Sequence, residues 1–193
     1  DEVWNSSQVW YMPFDDMDDP VTDEISMWPW REAYYTINVC NFILSRTTGD
    51  DASLSESMKR IKGQALFLRG YSYYTLAGYY QNPALITDYA NYSSLDGLYG
   101  KNSTYDDVLD QVEKDFAEAM TLLPSRDAGG EWAKGRATCG AAAGYYARTL
   151  MQRHKYSDAL TVLKDIMNKK YGSYKLMANY GDNFREGSAY ENN

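Results

Sequence analysis

Apolar positions recur at helical spacing in five stretches of this chain, separated by segments rich in Asp, Asn, Ser, Gly and Pro. In the first, Trp30, Tyr34, Ile37, Cys40 or Asn41, and Leu44 share one face, which predicts a helix from Trp30 to Ser45. An Asn on that face needs its amide satisfied, and the backbone of a neighbouring loop is the natural partner. A turn at Thr47–Ala52 follows. Ser53-x-x-Glu56 then reads as a capping box opening a second helix that runs to about Tyr80. Leu66, Phe67, Gly70, Tyr71, Tyr74, Ala77 and Tyr80 trace its apolar surface, interleaved with the small residues Gly63, Ala65 and Gly78. Small residues beside large rings let neighbouring helices approach closely while the rings fill the groove. Pro83 marks its end. The surface is too wide for a lone helix, so partner helices must cover it.

Those partners follow in order. Thr104 with Asp107 gives a second capping box, after which Tyr105, Val108, Leu109, Val112, Phe116, Ala119 and Leu123 form an amphipathic stripe stopped by Pro124. Arg136–Arg153 predicts an unusually thin helix built on Ala137, Gly140, Ala141, Ala142, Ala143, Gly144 and Ala147. His154-Lys155-Tyr156 is a short turn, and Ser157–Lys169 a further helix with Ala159, Leu160, Val162, Leu163 and Ile166 inward. Helix pairs joined by short turns, with thin helices against aromatic ones, have the texture of tetratricopeptide hairpins, without a regular 34-residue spacing. The predicted class is all-α, with tetratricopeptide-like hairpins and long ordered loops. Residues 1–29 form an irregular aromatic and acidic segment, 30–170 the helical scaffold, and 171–193 a loop-like end.

Composition narrows the function. A net charge of -8 argues against nucleic acid, which requires a concentrated basic face. No apolar run approaches the roughly 20 residues of a membrane span. Cys40 and Cys139 both fall among apolar neighbours and read as small buried hydrophobes. The aromatic share is 15%, with 19 Tyr and 5 Trp, and these side chains suit both helix packing and stacking on ligands. Trp30, Tyr34, Tyr71 and Tyr74 lie on helical faces and read as core. Arg69 reads as an ion-pair or carbonyl-capping residue. Trp4, Trp10, Tyr11 and Trp28, with Tyr89, Tyr92 and Tyr99 in the long Gln81–Asn102 connection, fall outside the packing pattern and are the candidates for stacking on a ligand.

Catalytic and metal readings find little support. The single His154 has no nucleophile pattern beside it, and no phosphate-binding loop or metal-ligand spacing occurs. Asp15, Asp16, Asp18 and Asp19 could wrap a hard cation, but the Gly and terminal Glu of an EF-hand loop are missing, so the segment reads as a solvated loop. Carboxylates are plentiful, yet spacing alone selects no glycosidase-like pair. No enzyme, cofactor or metal is expected.

Five blocks in order carry a family resemblance. They are Trp30-x-x-x-Tyr34-x-x-Ile37-x-x-x-Asn41, Gly63–Tyr71 with Pro83–Thr87, Asp115-x-x-x-Ala119-x-x-Leu122-Leu123-Pro124, Gly135–Thr138 leading to Ala147-Arg148, and Tyr174-x-Leu176 with Phe184. Over about residues 28–190 the chain resembles the N-terminal part of the SusD/RagB family of outer-membrane nutrient-binding lipoproteins. Gln81-Asn82-Pro83 departs from the usual Gly-Asp-x-Pro of that family. The resemblance implies a surface-exposed, non-enzymatic protein that captures oligo- or polysaccharide and passes it to a SusC-like TonB-dependent transporter. It further implies a lipid anchor outside this sequence, a strand-like tail around Tyr174–Phe184, and a larger fold of which this is an N-terminal portion. Two alternatives stand beside it: a peptide-binding member of the same family, and a tetratricopeptide-type protein-interaction module.

Overall fold

The computed structural model describes residues 24–93, 100–132 and 135–184. Five α-helices and no strand occur among them: α1 (Glu24–Arg46), α2 (Glu56–Tyr80), α3 (Tyr105–Leu122), α4 (Cys139–Gln152) and α5 (Tyr156–Met167). Each helix packs chiefly against its neighbours in sequence, which builds an array of antiparallel hairpins. The all-α, tetratricopeptide-like expectation holds.

Helix ends follow local chemistry. The Ser55 hydroxyl accepts from the Met58 N–H at 3.3 Å, and that of Thr104 from the Asp107 N–H at 3.1 Å. The first of these caps is Ser55, two residues beyond the Ser53 proposed from the sequence, because Asp51–Ser53 is taken up by a short 3₁₀ turn capped by Asp50. α1 starts at Glu24, six residues before Trp30, and passes through Pro29. Near a helix start, proline removes one main-chain hydrogen bond without ending the helix. α4 starts at Cys139 rather than Arg136, because the Gln64 side chain takes both polar groups of the Ala137 backbone, donating to its C=O at 2.6 Å and accepting from its N–H at 3.3 Å. Thr138 then caps the helix.

α2 lies between α1 and α3. Its fully buried side chains are Tyr73 and Leu76, with Ile37 from α1 and Val108, Leu109, Val112 and Phe116 from α3. Contact on two sides shifts the buried arc of α2, so Tyr71, expected in the core, is 43% exposed and Tyr74 half-buried. Trp30 and Tyr34 pack against the core as expected. Close approach uses the small residues. A Cβ added at Gly70 would sit 3.2 Å from Asp115 Cβ and 3.3 Å from Phe116 Cε1, whereas one at Gly78 would meet nothing within 4 Å. The five-residue alanine-and-glycine start of α4 similarly buries Ala142 and Ala143.

α5 is the last α-helix among the described residues and packs chiefly on α4. Ala159 and Val162 are buried, but Leu160 and Leu163, expected inward, are exposed. Residues 172–184 are irregular with a short 3₁₀ turn rather than strand-like: Tyr174 packs its ring under Arg126, with its hydroxyl 3.3 Å from Thr138 Oγ1, while Leu176 and Phe184 are exposed. Both cysteines are buried and free, as expected. Burial pushes the Cys40 thiol up to about 11, Arg69 and Asp115 acting on it in opposite directions.

Two outcomes are predicted. Gly78→Ala raises stability by roughly 0.5–1 kcal/mol through helix propensity, whereas Gly70→Leu lowers it by about 1–3 kcal/mol by overpacking against Asp115 and Phe116. Urea unfolding of both variants checks this, and equal effects would contradict the packing described. Iodoacetamide at pH 8 leaves Cys40 unmodified in the folded chain and labels it in urea; mass spectrometry reads the result, and prompt labelling of the native chain would contradict it.

Candidate functional site

The loop after α2 is held mainly by side chains, with a single main-chain bond to the segment before α3 among the described residues. Irregular backbone that is buried must still have its polar groups satisfied. Tyr34 donates from its hydroxyl to the Ala84 C=O at 2.7 Å. Asn41 Nδ2 donates to the Ile86 C=O at 2.7 Å, and the Tyr73 hydroxyl donates to the same oxygen at 2.8 Å while accepting from the Ile86 N–H at 2.8 Å. The Leu85 N–H donates to Ser103 Oγ at 3.1 Å, and the Ser103 N–H to the Pro83 C=O at 3.2 Å. Asn41 does what its position on the apolar face of α1 predicted.

Behind this loop lies a buried ion pair. Arg69 donates through Nη2 to Asp115 Oδ1 at 2.6 Å and through Nε to Asp115 Oδ2 at 2.8 Å, a two-pronged grip from α2 to α3. Its Nη1 donates to Asn41 Oδ1 at 2.9 Å and to the Thr87 C=O at 3.3 Å. Gln111 Nε2 adds a donor to Asp115 Oδ1 at 2.7 Å. Burial opposes the charge on Arg69, but the bond and field of Asp115 outweigh it and its pKa is raised. Burial likewise pushes the Asp115 carboxyl up, against the pull of Arg69 and Gln111. The two-pronged grip of Arg69 and the third donor from Gln111 favour the ionised carboxylate. One guanidinium therefore joins α1, α2, α3 and the loop, in both of the roles foreseen for Arg69.

Of the seven proposed stacking residues, two have side chains among the described residues, and these two are not brought together. Trp28 lies in α1 rather than in a loop and is 63% exposed. Tyr89 stands on a 3₁₀ turn, Tyr89–Ser93, with its ring edge-on to Phe42 at 5.2 Å and 39% exposed. Fourteen residues of helix separate Trp28 from Phe42, about 21 Å along the axis, so Trp28 and Tyr89 mark opposite ends of α1. Tyr92 belongs to the same turn, with its side chain outside the described residues. Trp4, Trp10, Tyr11 and Tyr99, and the acidic stretch Asp15–Asp19, also lie outside them.

The sequence reading missed a second stripe on α1. Trp28, Tyr35, Val39 and Phe42 recur at steps of seven, four and three, and all are exposed. Tyr35 and Val39 form one wall of a groove against Ile61 and Leu68 of α2. The cavity measures about 510 Å³ and is floored by Cys40 and Ala65, with Arg60, Glu131 and Arg136 at its rim. Thr36 and Leu68 connect it to a further 330 Å³ reaching Pro29 and Thr75. The signal was legible: two apolar stripes on one helix mark two faces suited to contact, of which one is packed on the core and the other open. Among the described residues no group of His, Cys, Asp or Glu could hold a metal, and no helix is long and apolar enough to cross a membrane.

Comparison with known proteins gives one family and many similar folds. The sequence profile of a SusD-like family, described as "starch-binding associating with outer membrane", matches residues 1–151. No curated protein matches. A SusD-like carbohydrate-binding protein from Bacteroides fragilis is 26% identical with a TM-score of 0.73, over 86% of this chain and 31% of its own. A SusD superfamily protein from Bacteroides vulgatus is 21% identical with a TM-score of 0.83, over 99% of this chain and 39% of its own. A surface glycan-binding protein A from Bacteroides thetaiotaomicron, solved with laminarihexaose, is 19% identical with a TM-score of 0.74, over 97% of this chain and 38% of its own. The chain thus spans about a third of the length of these structures.

Of the loop anchors, Asn41→Ala lowers unfolding stability by roughly 1–3 kcal/mol, because Arg69 and Ile86 each lose a buried partner. Tyr34→Phe, which removes one half-buried hydroxyl, costs about 0.5–1.5 kcal/mol. Chemical denaturation ranks the two, and the reverse order would contradict the anchoring described.

Proposed function

The chain belongs to the SusD-like family, and from that premise we propose that it serves in the capture of oligo- or polysaccharide at the cell surface and its delivery to a SusC-like TonB-dependent transporter in the outer membrane, with attachment by a lipid anchor outside this sequence. The family profile over residues 1–151 carries the reading. Supporting it, aromatic rings stand exposed along α1 and on the turn after α2, and the fold-mates include proteins described as carbohydrate- or glycan-binding. Sugar rings present apolar C–H faces to such aromatics, while hydroxyls take hydrogen bonds from neighbouring polar groups.

Trp4, Trp10, Tyr11, Trp28, Tyr89, Tyr92 and Tyr99 are the proposed stacking residues. The anchored Pro83–Thr87 segment fixes where the turn carrying Tyr89 leaves the scaffold. The binding is non-covalent, by stacking and hydrogen bonding, with no catalytic step.

Affinity electrophoresis against a panel of soluble polysaccharides tests this. The wild-type chain is retarded by at least one of them, and Trp28→Ala or Tyr89→Ala each weakens retardation about tenfold, equivalent to about 1.4 kcal/mol. Free migration in every gel would overturn the glycan reading. Retardation that ignores all seven aromatic positions would leave the function and remove those residues from it.

A further inference from the structure

A shallow notch of about 270 Å³ lies on α4, lined by Ala141, Gly144, Tyr145 and Arg148. These positions follow steps of three, one and three, one face of the helix, and that face turns toward α2. The Tyr145 ring stacks on buried Phe116 at 5.5 Å and meets the edges of Tyr71 at 5.3 Å and Tyr74 at 5.9 Å. The Arg148 guanidinium lies over the Tyr74 ring at 5.8 Å. Helix packing accounts for Phe116 and Tyr145. It does not account for the other half of the notch: Arg148 is exposed and has no carboxylate partner among the described residues, and a Cβ at Gly144 would meet nothing within 4 Å. Glycine in mid-helix lowers helix stability, and no close approach of another element requires it here.

Resting on the reading above, we propose that this notch is an oligosaccharide subsite, separate from the seven stacking residues. A pyranose ring lies over Gly144, with its C–H face toward the exposed parts of Tyr71 and Tyr145. Arg148 donates to neighbouring hydroxyls through its forked N–H groups. The chemistry favours a neutral glycan. Gly144 and Arg148 are exposed, so the notch is open to solvent and meets a ligand face-on rather than enclosing it, and the net charge of -8 disfavours acidic ligands.

Isothermal titration of the chain with laminarihexaose, maltohexaose and cellohexaose tests the assignment, with a short acidic peptide as the competing probe. A Cβ at Gly144 meets nothing within 4 Å and leucine favours the helix over glycine, so the thermal unfolding midpoint of Gly144→Leu stays at or above wild type. It weakens binding of the preferred hexaose at least tenfold, as does Arg148→Ala. Hexaose binding unchanged in Gly144→Leu would overturn the subsite and leave the proposed function intact. Failure of the wild-type chain to bind any hexaose, together with free migration on every polysaccharide, would overturn both. Binding of the acidic peptide alone, abolished in Gly144→Leu, would assign the notch to protein recognition and overturn the glycan proposal.

Discussion

One guanidinium sets the geometry of the scaffold. Arg69 projects from the middle of α2 into the space where α1, α2, α3 and the loop after α2 converge, and three of these give it an acceptor. A charge this deeply buried is tolerated only with its partners in place, because desolvation costs several kcal/mol per ion and only good geometry offsets it. Such a cluster is a poor source of net stability. What it supplies is specificity: Asp115, Asn41 and the Thr87 carbonyl must all arrive together, so the register of α1 on α2 and of α2 on α3 is fixed along with the path of the loop. Gly70 lies beside the same point, where a larger residue would push Asp115 and Phe116 away.

The rest of the array follows from how thin each helix is. α2 carries rings and packs on two sides. α4 carries alanines and glycines and lets α3 and α5 approach, and Arg153 and Lys155 beyond its end reach back to Glu113 on α3 at 2.7 and 2.9 Å. Exposed apolar rows remain on α1 and on α5, the first and last α-helices among the described residues.

Much of this could be read from the residues. Capping hydroxyls, the stop at Pro83 and the stripe of α3 gave the helices and their order, and an Asn among apolar neighbours on α1 announced a loop contact. Two kinds of error have one physical source. Periodicity tells which residues are apolar, not how many sides of a helix are covered. Thus Tyr71 on the sandwiched α2 and Leu160 on the terminal α5 were both assigned inward, and both are exposed. The start of α4 was misplaced because Gln64, 73 residues from Ala137 in sequence, decides it. The site was the least legible part. Stacking residues are recognised by failing the helix pattern, and Trp28 escaped that test because the helix runs through Pro29.

The proposed glycan capture needs its aromatics held in place, and Arg69 bonds the Thr87 carbonyl two residues before Tyr89. A double-mutant cycle of Arg69→Met and Asp115→Leu, followed by urea unfolding, tests that dependence most directly. The account predicts that each single variant loses about 3–5 kcal/mol, by leaving a buried charge alone, and that the double variant recovers most of it. Losses that simply add would contradict it, and Arg69 would then be one packing residue among many.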